Sequence, residues 1–324
     1  MVPKRTRPIS TVARCSLLMI ALLFLITTLA SAQSPAGNST HDIGVETQMH
    51  NVTYHYSTTA AVNIRNLIGE LIPVSPAEFP VFDDKDSFHL RIASAEIAVA
   101  APDLANIFNT SVFTGQQSPL SDISMTIENG RLLMKGKLHE KAVIPFESEG
   151  FLSPTPDGKI FLRIGKVKAL HLPVKGLMNL FNVEMADLIK NGKVPGIQAS
   201  GDDLILDPAV VFPAPHLEGK VSAIRLEAGN LVLNFGAKNT PLKFHQAGNY
   251  MLFRDNRLRF GKLTMADVDL ILIDMDPRDP FDFSLDHYKQ QLSAGYTKIT
   301  SKSGLRTFMK DFDKLSKSRA KSKN

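Results

Sequence analysis

Ile123-Ser-Met-Thr-Ile-Glu-Asn-Gly130 decides the class of fold. Ile123, Met125 and Ile127 fall on one side and Ser124 and Thr126 on the other, the alternation of a half-buried strand. Asn129-Gly130 then supplies two residues that tolerate the positive φ of a tight hairpin. Working outward, Asp157-Gly158, Gly201-Asp202-Asp203, Gly229-Asn230 and Asp255-Asn256 repeat the turn chemistry between apolar or alternating runs. Ile160, Leu162 and Ile164 alternate with Phe161 and Arg163, and Leu231, Leu233 and Phe235 share a face in the same way. Strands joined by short turns predict an antiparallel meander. The intervals are irregular, so ordinary β architecture is expected rather than a repeat array.

Two helices are expected to interrupt the strands. Pro102 to Asn109 opens with Pro near its first turn and is short. After Pro173, the residues Val174, Leu177, Met178, Phe181, Met185, Leu188 and Ile189 form one continuous helical stripe, with Lys190 and Gly192 as stop signals. A weaker helix is expected over Leu285 to Leu292. The expected fold class is therefore α+β: a curved antiparallel β-meander packed on or around one long amphipathic helix. A single domain is expected over 42–309, with a sub-boundary near 208–216 where Pro208 to Pro215 thickens the loop. A flexible basic tail is expected over 310–324.

The ends of the chain differ from its body. Residues 1–32 hold Lys4, Arg5, Arg7 and Arg14 and no acid. The apolar run Ser16 to Leu29 and the small residues Ala30-Ser31-Ala32 follow, the three parts of a secretory signal in order. The apolar run is shorter than the ~20 residues a spanning helix prefers. Cleavage after Ala32 is thus the favoured expectation, an uncleaved anchor the alternative. Residues 33–41 read as a linker. Cys15 is the one cysteine, so an exported mature chain would carry no disulfide or thiol nucleophile. Residues 33–309 hold 27 bases and 30 acids. A slightly acidic body is a poor footprint for nucleic acid, and no such partner is expected. At 44% apolar and 21% charged, the chain has globular composition.

No sequence pattern names a reaction. The nine His residues include no H-E-x-x-H pair, and no nucleophile elbow or phosphate-binding glycine loop occurs. His50 and His55 are five apart in a strand-like segment and are expected on opposite faces. Asp267, Asp269, Asp274, Asp276, Asp279, Asp282 and Asp286 are the densest polar cluster. Asp274, Asp276 and Asp279 are weak candidates for a hard cation, but Pro277 and Pro280 stiffen the loop and no Gly supplies a sharp turn. A solvated acidic edge is the preferred expectation, with no metal and no cofactor. Asn38, Asn51 and Asn109 match the N-glycosylation pattern.

Four phrases resemble the exported bacterial lipid-binding proteins of the LmeA-like kind. They are Ala98-Val-Ala-Ala-Pro-Asp-Leu-Ala105, Ile127-Glu-Asn-Gly-Arg-Leu-Leu133, Lys168-Ala-Leu-His-Leu-Pro-Val174 and Leu217-Glu-Gly-Lys-Val-Ser-Ala-Ile-Arg-Leu226. The resemblance spans about residues 88–235. It implies a tubular lipid-binding fold, in which a curved sheet wraps a long helix around apolar ligand space, and it carries no catalytic motif.

The expected function is an exported, non-catalytic binder or carrier of phospholipid or another amphiphile, in the periplasm or outside the cell. The stripe Val174 to Ile189 is the candidate groove. Lys314, Lys317, Arg319, Lys321 and Lys323 are candidates for peripheral contact with an anionic membrane. A ligand-free envelope scaffold is the alternative, and a carboxylate-dependent hydrolase built on Asp274 to Asp286 the third expectation.

Overall fold

The segment from Val45 to Ala100 is mostly strand. The computed structural model describes residues 44–315 apart from 77, 116–117, 140–141, 166–167, 170–193, 201–202, 238–239, 241 and 243. β1 (Val45–His55), β2 (Ala61–Pro73) and β3 (Phe88–Ala100) are long antiparallel neighbours. The chain then passes through α1 (Ala101–Ile107) and a π turn, Phe108–Val112, into a second sheet. That sheet contains β4 (Leu120–Glu128), β5 (Arg131–His139), β6 (Val143–Pro154), β7 (Ile160–Ile164), β8 (Lys168–Ala169), β9 (Ile197–Ser200) and β10 (Asp203–Leu206). Its order is β4-β5-β6-β7-β10-β9, with β8 on β6.

The short helix α2 (Pro208–Val211) returns the chain to the first sheet. β11 (His216–Glu218) lies parallel to β3, followed by the hairpin β12 (Val221–Glu227) and β13 (Asn230–Gly236). After β14 (Tyr250–Arg254), a small separate hairpin forms from β15 (Leu258–Phe260) and β16 (Leu263–Met265). β17 (Asp269–Asp274), β18 (Phe281–Ser284), α3 (Tyr288–Ser293), β19 (Tyr296–Ile299) and β20 (Leu305–Met309) complete the fold. The main sheet runs β12-β13-β3-β2-β1-β14-β17-β20-β19, with β18 parallel to β1.

Turn chemistry explains much of this path. Asn129 and Gly130 take φ of +51° and +71° and close the β4–β5 hairpin. Gly158, at φ +91°, lies in the β6–β7 turn, and Ala228-Gly229, one residue earlier than expected, closes β12–β13. Asp255-Asn256 does different work. Both residues have positive φ, and they turn the chain out of the main sheet into β15–β16. Asn51 marks another switch. One edge of β1 pairs with β14 through His50 and with β18 from Val52 onward, and Asn51 sits between at φ +50°. Asn tolerates that conformation better than most residues.

The inner faces of both sheets and the short helices share one hydrophobic cluster, from Val45 and Phe88 through Met125 and Leu162 to Phe283 and Met309. Pro208 to Pro215 is the passage between the two sheets, and Val211 and Phe212 on it belong to the same cluster. A second cluster, Tyr250, Leu252, Ile271 and Ile273, lies apart from the first and is flanked by Phe244 and Phe308.

The α+β expectation is corrected. Of the described residues 55% are strand and 12% helical, so the fold is mostly β. No helix among the described residues is long and amphipathic; α1 has seven residues and α3 six. Local chemistry limits them. Asn109, inside the π turn, turns its amide onto the backbone of Ile123, donating to the carbonyl at 2.7 Å and accepting from the N–H at 2.9 Å, which ties the turn to β4. α2 starts at Pro208 behind the Asp207 cap, and Phe212 is already extended. The stripe Val174, Leu177, Met178, Phe181, Met185, Leu188 and Ile189 lies outside the described residues. Among the described residues, no helix is long and apolar enough to cross a membrane.

Candidate functional site

The second sheet turns an apolar face toward α1, the π turn and α2, and a cleft remains between them. Strand register builds its floor in rows. Met125, Met134 and Ser148 lie side by side on β4, β5 and β6. Leu132, Gly150 and Ile164 form the next row, and Leu152 and Leu162 the third. Leu104 and Phe108 cover it from one side, Val211 and Phe212 from another. The cavity measures about 40 Å³. One water needs roughly 10–15 Å³ on that scale, so the free space suits a short run of methylenes.

Two residues shape the cleft. Gly150 keeps the floor low: a Cβ there would stand 2.7 Å from Leu162 Cδ1. Ser148 is 3% exposed and is the one hydroxyl-bearing residue in the lining. Neighbouring Glu149 points the other way, to Arg131 at 2.6 Å. The cleft is thus apolar with one buried hydroxyl on its wall, a composition that suits a chain bearing a single polar group. The candidate groove residues 174–189 lie outside the described residues, and no periodicity in the sequence singled out Ser148 or Gly150. The strand alternation did place Met125 on a buried face.

The acidic run resolves into an ion-pair cage. Lys314 Nζ lies 3.1 Å from Asp276, 3.0 Å from Asp279 and 2.9 Å from Asp311. Arg278 forks onto Asp276 at 2.6 and 2.7 Å. Asp274 instead accepts from Asn249 at 2.9 Å and caps the Asp276 N–H at 2.7 Å. The position between the cation candidates is therefore held by an ammonium of the chain itself. Arg278 and then Lys314 keep the Asp276 carboxyl well below its ordinary range. Burial pushes Asp274 and Asp311 upward, against the hydrogen bonds they accept. These carboxylates converge on Lys314, not across a cleft. Lys314 is thereby committed to acids, while Lys317, Arg319, Lys321 and Lys323 lie outside the described residues.

Beside the cage, His55 Nε2 meets Asp282, whose other oxygen accepts from the Asp313 N–H at 3.1 Å. Phe312 lies between two imidazoles, 5.4 Å from His55 and 4.6 Å from His287 by ring centroids. Sequence separation of more than two hundred residues hid this assembly. Ser284 Oγ is 3.1 Å from His287 Nδ1, but Ser284 is buried and no carboxylate orients that imidazole among the described residues. The hydrogen bond to Asp282 raises the His55 pKa, opposed by burial. A raised histidine pKa contributes stability below its unfolded value of about 6.5, and this is lost as pH climbs through the folded value. The melting-temperature gap between the native chain and His55→Gln should therefore be widest at mildly acidic pH and close as pH rises. A gap that is constant with pH contradicts the charged pair.

A wider recess of about 490 Å³ lies along β2, β3 and β13, with Asn66, Glu96, Arg225 and Asn234 among its lining. Its charges are already matched: Glu96 takes Arg65 at 2.6 Å and Arg225 at 3.3 Å, and Arg225 also holds Glu227 at 2.7 Å. Two glycosylation-type asparagines carry structure. Asn109 holds the π turn to β4, and Asn51 donates to Asn249 at 2.8 Å. His89 and His216, isolated in sequence, come to a ring separation of 6.0 Å through the parallel pairing of β3 and β11. No family model, curated protein or solved structure matches the chain.

Proposed function

We propose that this protein is an exported, non-catalytic binder of an amphipathic lipid, taking part of the ligand's apolar chain into the cleft between the second sheet and the short helices. The observation that carries this reading is an apolar cleft with a single hydroxyl, that of Ser148, in its lining. Transfer of each methylene from water supplies about 0.8 kcal/mol, and an ester or hydroxyl oxygen pairs with Ser148. The volume admits a chain segment, with the bulk of a phospholipid and its headgroup remaining outside. The LmeA-like phrases point to the same class of ligand, and the signal-like first thirty-two residues to an exported chain.

Native mass spectrometry of the full chain purified from cells, followed by organic extraction, tests this. The expected result is a set of adduct masses that extraction resolves into acyl-chain lipids. A lipid-free mass, with no uptake of an added monoacylglycerol, contradicts the reading and favours a packed envelope scaffold.

A further inference from the structure

We infer that the β19–β20 hairpin is a docking surface for an anionic lipid bilayer. Between Asp286 and Asp311 the chain carries Lys289, Lys298, Lys302, Arg306 and Lys310 and not one acid. The fold places the centre of this run at the end of the main sheet, where β19 has β20 as its one strand neighbour among the described residues. All four residues of β19 are exposed. Ile299 is 74% exposed and Tyr296 46%, costly positions for apolar groups in water. Tyr296 stacks on Phe308 at 4.6 Å, and Lys298 Nζ stands 5.5 and 5.4 Å from the two rings.

Charge decides the partner. Arg306 is committed to Asp269 at 3.1 Å, a carboxylate that Arg254 shares at 3.4 Å. On the neighbouring strand segment Asp267 is exposed just before β17, and Asp274 at its far end is buried and bonded to Asn249. Lys298 and Lys302 are exposed and enter none of the ion pairs among the described residues. Approached edge-on, β19 presents Tyr296 and Lys298 on one face and Ile299 on the other, with Lys302 in the turn, so that both faces meet a membrane interface: ammonium at the headgroups, aromatic ring and aliphatic chain just below. Addition of a strand from a second copy is disfavoured, because it would bring the lysines of two acid-free edges together. This surface works whatever fills the cleft, and it replaces Lys314, which the cage has taken, as the membrane contact.

Flotation of the full chain with phosphatidylcholine vesicles, and with phosphatidylcholine vesicles containing phosphatidylglycerol, tests the inference. Binding is expected to the anionic vesicles alone and to fall when salt shortens the screening length to about 3 Å. Neutralising a lysine at the surface weakens partition by about fivefold, so Lys298→Gln with Lys302→Gln is expected to weaken it by roughly 25-fold. Ile299→Ser should weaken it further without changing the melting temperature. Equal binding to both vesicle types overturns the inference. So does an unchanged Lys298→Gln/Lys302→Gln variant when Lys317, Arg319, Lys321 and Lys323 replaced together by Gln release the protein, because the tail is then the contact. A double variant that alters oligomeric state instead of vesicle binding assigns the edge to protein pairing and overturns it too. Monoacylglycerol uptake from solution reports on the cleft alone, so failure here and failure of the lipid-binding reading are separate results.

Discussion

Phe283→Ala should lower the unfolding free energy by about 3–5 kcal/mol, the usual cost of emptying a large buried aromatic position. Phe283 is fully buried at the junction of β18 with β1. Its ring lies 6.0 Å from Tyr54, 5.9 Å from Phe82 and 5.8 Å from Phe281. Those neighbours come from β1, from the loop that follows β2, and from β18 itself. The ring therefore packs segments separated by most of the chain, and no single neighbour can relax into the space. Urea denaturation should show a lower midpoint with an unchanged slope, since the surface exposed on unfolding hardly changes. A loss below about 1 kcal/mol would show a site that collapses easily, contrary to this packing.

Ser148→Ala should weaken binding while leaving stability nearly unchanged. Loss of one hydroxyl from a cavity wall, with the strand ladder intact, should change the unfolding free energy by less than about 1 kcal/mol. The same change deletes the one polar group on the cleft wall. Affinity for a monoacylglycerol should fall by about fivefold to tenfold, the worth of one neutral hydrogen bond in a dry site. Binding lost with stability kept is the signature of a functional polar group, not of a structural one. A variant that is less stable, with binding unchanged, would place the hydroxyl in a structural role.

The sequence disclosed the parts of this fold that depend on neighbours in the chain. Asn129-Gly130 takes the positive φ that its composition announced, and β4, β7 and β13 bury the faces that alternation marked. The Asp255-Asn256 turn was visible too, but its consequence was not: the same two residues could close a hairpin or launch the β15–β16 excursion. The long helix was overread as the organising element, because a periodic stripe carries no information about how much of the remaining chain is strand. The site was less legible. Gly150 and Ser148 matter through strand register across β5, β6 and β7, which a single chain segment does not reveal. The acidic run looked like a cation site or a solvated edge because its partner, Lys314, arrives from thirty-five residues beyond Asp279. His55 and Asp282 are joined across 227 positions by the parallel pairing of β1 and β18, a register that local spacing does not encode.

The central claim is that a lipid chain enters the cleft, and methyl-labelled methionines report on it directly. Met125 and Met134 line the cleft, whereas Met251 and Met309 are fully buried away from it. Titration of the full chain with a monoacylglycerol should shift the methyl resonances of Met125 and Met134 with one shared saturation curve and leave those of Met251 and Met309 in place. Unmoved Met125 and Met134 signals at saturating lipid, or shifts confined to other methionines, would contradict it.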